Sequence, residues 1–149
     1  MKRHESLAPL SRHHHRGLML AQLLRKGAPV YRNMPETTEE KISYAVRFFK
    51  NELKEHFEKE AAVFDLVKPV STELENLAND LIIEHEKLEC LFYSLTEDRT
   101  GAVETMNEIG ELLSSHIRKE ERVFFPLIQE NCPEDKLQQI SLLLDEQLN

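Results

Sequence analysis

Two stretches of this chain, sixty residues apart, carry the same pattern. Leu53-x-x-His56-x-x-Lys59-Glu60-x-x-Val63-Phe64 returns as Leu113-x-x-His116-x-x-Lys119-Glu120-x-x-Val123-Phe124, with six identities in twelve positions. Each copy sets a His and a Glu four residues apart within apolar residues at helical spacing. On an α-helix such a pair lies one turn apart on the same face. Two copies are too few for a solenoid, which needs about three stacked units or more. They suit a pseudo-symmetric bundle of two related helix pairs, and few folds other than an all-α one can hold them.

Apolar spacing and helix punctuation predict four long helices. The first covers residues 11–26 and stops at Gly27 and Pro29. The second covers residues 37–67, opened by Pro35 and the caps Thr37/Thr38 and closed by Pro69. Its inward row is Ile42, Ala45, Phe49, Leu53, His56, Glu60, Val63/Phe64 and Val67. The third starts at Ser71-Thr72, where Thr72 and Glu75 have capping-box spacing, and turns Leu74, Ala78, Leu81/Ile82, His85, Leu88, Phe92 and Leu95 inward. The fourth covers residues 102–131, with Met106, Ile109, Leu112/Leu113, His116, Glu120, Val123/Phe124 and Leu127 inward and a kink expected at Pro126. A short fifth helix, residues 134–148, packs across one end, and residues 1–10 form an arm without a period of its own. Short connections between long helices imply an antiparallel up-down four-helix bundle. At 149 residues the whole chain, 1–149, reads as a single domain.

Composition excludes several classes. The formal net charge is −8 and the basic residues are scattered, so no stripe offers a nucleic-acid footprint. No apolar run approaches the ~20 residues of a membrane helix, and no signal-peptide pattern follows Met1-Lys2-Arg3. A cytoplasmic protein without nucleic-acid or membrane partners is the expectation. Cys90 and Cys132 form no CxxC and read as free, buried or half-buried thiols.

What remains is the inward polar set. His56/Glu60 and His116/Glu120 sit in the middle of core-facing rows, and the other two long helices add His85 and one of His13-His14-His15. A core histidine alone is usually a satisfied structural residue. Four inward imidazoles with two inward carboxylates ask for more, because buried charges are normally paired or bound to metal. The competing interpretation is a buried His–Glu hydrogen-bond network.

The order His … HxxxE … His … HxxxE on four successive helices, with Leu-Ser-Arg-His-His-His before a Leu-rich helix and His-x-x-Lys-Glu before Val-Phe, resembles the hemerythrin-like (HHE cation-binding) family. The resemblance runs from Leu10 to about Leu144. It implies a four-helix bundle around an oxo- or hydroxo-bridged pair of iron ions, whose members bind dioxygen or sense oxygen, iron or nitric oxide. Carried onto this chain, it gives one iron His14 and His56, the other His85 and His116, and makes Glu60 and Glu120 the bridging carboxylates. Imidazole and carboxylate donors suit iron, and zinc or manganese could stand in.

Three points stay open in the sequence. Gly17, Leu18, Ala21 and Leu24 follow His14 on its face, which favours it over His15. Glu89 stands where oxygen-carrying members have a fifth histidine, and is either a further ligand or a solvated acid. Glu121 competes with Glu120, although the repeat aligns Glu60 with Glu120. Functionally, the leading expectation is a non-haem diiron protein that binds a small diatomic ligand or senses oxygen or iron. A diiron oxidase or peroxide-scavenging enzyme and an iron sensor or store acting through a partner are the alternatives. A repair role is disfavoured by the short Cys-free arm, and whether the chain is an enzyme, like its oligomeric state, is left undecided.

Overall fold

The computed structural model describes residues 2–145, and all regular structure among them is helical. Helix α1 spans Ala8–Leu23, α2 Thr38–Phe48, α3 Lys54–Val67, α4 Thr72–Glu97, α5 Ala102–Lys119, α6 Phe125–Asn131 and α7 Glu134–Leu143. The α2–α3 rod and the α5–α6 rod are each continuous through one π-helical turn, Phe49–Leu53 and Glu120–Phe124. Residues 146–148 of the expected last helix lie outside the described residues. Among the described residues no helix is long and apolar enough to cross a membrane.

The caps follow from local chemistry. Thr37 and Glu40 close a reciprocal capping box at the start of α2. At α4 the cap is Ser71, whose hydroxyl accepts from the Leu74 N–H, rather than the Thr72/Glu75 box expected from spacing. Helix α1 begins three residues earlier than expected, at Ala8, because Leu7 and Leu10 are both buried and draw the arm into the core.

The four rods enclose one another. Helix α1 packs on α5 and α3, α5 on α4, and α4 on both α2 and α3. Two apolar clusters result. One joins Leu20, Leu23 and Leu24 to Ile42, Ala45, Phe92, Leu95, Met106 and Ile109. The other joins Leu7 and Leu10 to Val63, Phe64, Leu74, Ala78, Phe124, Phe125 and Ile128, and is closed by Leu137 and Ile140 of α7. The polar residues of the repeat lie between the two. Gly110 lets α1 and α5 approach closely, since a Cβ there would stand 2.6 Å from the Ala21 carbonyl oxygen.

The second π turn changes one reading of the repeat. Val63 is buried, but its counterpart Val123 is 48% exposed, contrary to the inward placement expected of it. A π turn inserts one residue into the helical phase. The inward row therefore passes from Glu120 to Phe124 and Phe125, and Val123 turns out to solvent. Pro126 follows directly beyond the π turn, where the regular hydrogen-bond ladder is already interrupted. The thiols also divide: Cys132 is buried, and Cys90 is exposed rather than half-buried.

Candidate metal centre

Four rods each bring one histidine to the same level of the bundle, and the two copies of the repeat add their glutamates. His14 is on α1, His56 and Glu60 on α3, His85 on α4 and His116 on α5, with Glu120 opening the π turn that follows. Glu60 and Glu120 are fully buried, and the four histidines are all buried. His15 is exposed, so His14 is the member of its run that enters the core.

The Nε2 atoms converge on the two carboxylates. Glu60 divides its oxygens: Oε2 lies 3.1 Å from His56 Nε2 and 3.2 Å from His14 Nε2, while Oε1 lies 2.9 Å from His85 Nε2 and 3.7 Å from His116 Nε2. Glu120 Oε1 stands 3.2 Å from His116 Nε2 and 3.3 Å from His14 Nε2. The donors form two groups, His14/His56/Glu60 and Glu60/His85/His116/Glu120, that share Glu60. Glu89, half-buried one turn beyond His85, belongs to neither.

The outer edges of two rings are also fixed. His14 Nδ1 is 2.8 Å from Glu121 Oε1, and His116 Nδ1 is 2.8 Å from Glu84 Oε1. Each carboxylate is itself held by a cation, Glu121 by Arg3 and Glu84 by Lys119. A carboxylate accepts from Nδ1–H, so it selects the tautomer whose Nε2 carries a lone pair. Glu121 therefore does not compete with Glu120. The π turn sends Glu120 into the centre and Glu121 to the far side of His14. Sequence reasoning missed the roles of Glu84, Arg3 and Lys119, all of which act on residues from other helices.

Aromatic rings enclose the centre. Phe57 stacks on His85 at 4.1 Å, Phe64 stacks on the same ring at 5.5 Å, and Phe125 lies nearly parallel to His14 at 5.6 Å. Phe57 is thus core. Arg3 lies over Phe125, and half-buried His4 bonds Ser6, so the arm closes the Glu121 side.

This arrangement is short of positive charge. Both Glu120 oxygens are buried without a hydrogen-bond partner. His85 Nε2 and His116 Nε2 are 3.2 Å apart, and at most one can donate to the other. Burial alone would push the His14 imidazole down, but Glu120, Glu121 and Glu60 outweigh it and hold it well above its usual range. His116 is raised in the same way, against burial, by Glu120, Glu60 and Glu84. Burial would raise Glu60, yet the imidazoles of His56, His116 and His14 around it outweigh burial and keep it well below the usual carboxylate range. Protons can supply the missing charge, and so can metal ions. Donor atoms about 2.0–2.2 Å from one ion and at right angles stand roughly 3 Å apart, which is the spacing here. The residues fit a metal.

The profile of the Hemerythrin HHE cation binding domain matches residues 6–128, the stretch that supplies His14, His56, Glu60, His85, His116 and Glu120. The chain belongs to the hemerythrin HHE cation-binding family. No curated protein and no solved structure gives a significant match. In this hemerythrin domain the cation-binding assignment and the donor geometry meet at the same buried His/Glu cluster.

Proposed function

We propose that this hemerythrin-like domain is an antiparallel up-down bundle holding two iron ions, and that it binds a small diatomic ligand beside them. The observation that carries the proposal is the division of Glu60, one oxygen to His14 and His56 and the other to His85 and His116. A carboxylate that serves two imidazole pairs fits a bridge between two ions better than the wall of a single site. The antiparallel order is supported by the apolar clusters, which join the end of α1 to the start of α2, the end of α4 and the start of α5.

In this reading His14 and His56 would hold one ion, His85 and His116 the other, and Glu60 and Glu120 would serve both. Two iron ions there would supply electron transfer and affinity for dioxygen or nitric oxide. The chain's own residues would orient the imidazoles through Glu121 and Glu84 and keep water from the centre with Phe57, Phe64 and Phe125. The His14/His56 group has fewer donors, and both of its histidines line a cavity that also touches His116, so the ligand would enter from that cavity. The free thiols of Cys90 and Cys132 accord with a reducing, cytoplasmic setting.

The test is anaerobic reconstitution with ferrous iron, metal analysis, and titration with nitric oxide followed by electron paramagnetic resonance. About two irons per chain and a saturable nitrosyl signal are expected. A chain that retains one iron or none overturns the reading.

A further inference from the structure

Two groups hold His14 on its outer side. Glu121 Oε1 lies 2.8 Å from its Nδ1, and the Phe125 ring is nearly parallel to the imidazole at 5.6 Å. The Arg3 side chain touches both groups, and it belongs to none of the four rods. Arg3 Nη2 donates to the Glu121 carbonyl oxygen at 2.7 Å and to Glu121 Oε2 at 3.0 Å. The same guanidinium stands 5.3 Å from the centre of the Phe125 ring. A planar guanidinium serves both at once, with N–H groups along its edge for the oxygens and a delocalised charge for the ring face.

The segment that carries Arg3 is fastened by side chains and not by a helical ladder. Residues 2–4 stand outside any helix. Arg3 Nη1 and the His4 N–H donate to Gln129 Oε1 at 3.1 and 2.9 Å, and Gln129 Nε2 donates to the Lys2 carbonyl oxygen at 3.0 Å. Buried Ser6 and Leu7 pin the arm just beyond. Segments held by few buried apolar contacts open locally at low free energy. Arg3 and Gln129 also lie outside residues 6–128, so this fastening is added to the domain that the family profile matches. The opposite side of the centre is built differently. Glu84, which faces His116 Nδ1, is held by Lys119, and Lys119 stands on α5 itself, three residues after His116.

We propose that residues 2–5 form a detachable latch on His14. When the arm is docked, Arg3 fixes Glu121 and Phe125 against the imidazole. When it lifts, both lose that hold and His14 is free to turn from its ion. The arm thereby sets how fast one of the two ions leaves and has no grip on the other. The inference rests on the diiron reading, and it makes Arg3 a positioning residue for one ion.

The experiment uses protein loaded with zinc and follows the transfer of the metal to an excess of a coloured chelator. Arg3→Ala should make half of the bound zinc leave about tenfold faster, the low end of what the partners of metal-ligating histidines contribute. The other half should leave at the rate of the unmodified protein. Gln129→Ala, which loosens the arm, should speed the same half, and the double variant should be no faster than Arg3→Ala because both act through one segment. Amide hydrogen exchange on the unmodified protein should show residues 2–5 opening far more readily than α1. Release that Arg3→Ala leaves unchanged, or speeds equally for both ions, overturns the proposal, since a general loosening of the bundle would act on both. Unchanged release in Gln129→Ala overturns it too, because Arg3 then acts without the arm, and so does equal protection of residues 2–5 and α1. Two bound irons with zinc release indifferent to Arg3 refute the latch alone. Release sped by Arg3→Ala in a chain that takes up a single iron supports the latch and refutes the diiron reading.

Discussion

Glu121 Oε1 lies 2.8 Å from His14 Nδ1, while its other oxygen accepts from Arg3 and Ser11 at 3.0 and 3.1 Å. A carboxylate anchored at one oxygen and bonded to an imidazole at the other fixes the ring's direction and its tautomer. Partners of this kind around metal-ligating histidines typically contribute about 10–100-fold in metal affinity. Glu121→Ala should therefore weaken one bound ion by that factor and leave its neighbour nearly unchanged. Glu84→Ala should do the same at His116. Competition with a graded series of chelators would measure both, and two unaltered affinities would refute the positioning role.

The shared carboxylate separates single from double loss. His56→Ala should lower occupancy mainly at one ion, whereas Glu60→Ala should disturb both, since its oxygens face both histidine pairs. Iron per chain after gel filtration distinguishes these cases. Equal stoichiometry in the two variants would show that Glu60 does not span the groups.

Acid and base should act oppositely on metal-free and loaded protein. His14 and His116 are raised well above the ordinary imidazole value near ~6.5. Their stabilising contribution is complete below that value and is lost as pH rises through their folded values. Glu60 is lowered, so its contribution is present above the ordinary carboxylate value near ~4.3 and is lost as pH falls through its folded value. The metal-free protein should accordingly be most stable in mildly acidic solution and lose stability as the medium turns alkaline. Metal must displace the same protons, so its stabilisation should grow with pH. Thermal melts of both forms at about pH 5, 7 and 9 test this. A metal-free melting point that climbs steadily from pH 5 to 9 would contradict it.

Gly110 gives a prediction independent of metal. A methyl group there would meet the Ala21 carbonyl oxygen at 2.6 Å and the Arg25 side chain at 3.0 Å. Gly110→Ala should force α1 from α5 and cost about 1–3 kcal/mol, the usual range for overpacking. The carbonyl belongs to a helix backbone and cannot swing aside as a flexible side chain would. Urea denaturation of the metal-free protein reads the change, and an unchanged midpoint would mean that the helices can part freely.

The sequence by itself determined the helices and the inward His/Glu rows. Spacing of four places both members of a pair on one face whatever the helix packs against, so His56/Glu60 and His116/Glu120 are legible in any context. The same logic separates His14 from His15, because apolar neighbours one and two turns on mark the buried side. Tertiary structure alone decided what faces each histidine's outer nitrogen. Glu84 and Glu121 look like the other half-exposed acids of their helices, and they matter because a neighbouring rod presents His116 or His14 to them. The π turn at Glu120–Phe124 was likewise invisible to a reading made at 3.6 residues per turn, and it sends Glu121 to His14 and Val123 to solvent. Periodicity is a property of one helix. The partners of a buried polar group depend on how the rods are set against each other, and that is fixed only when all four have packed.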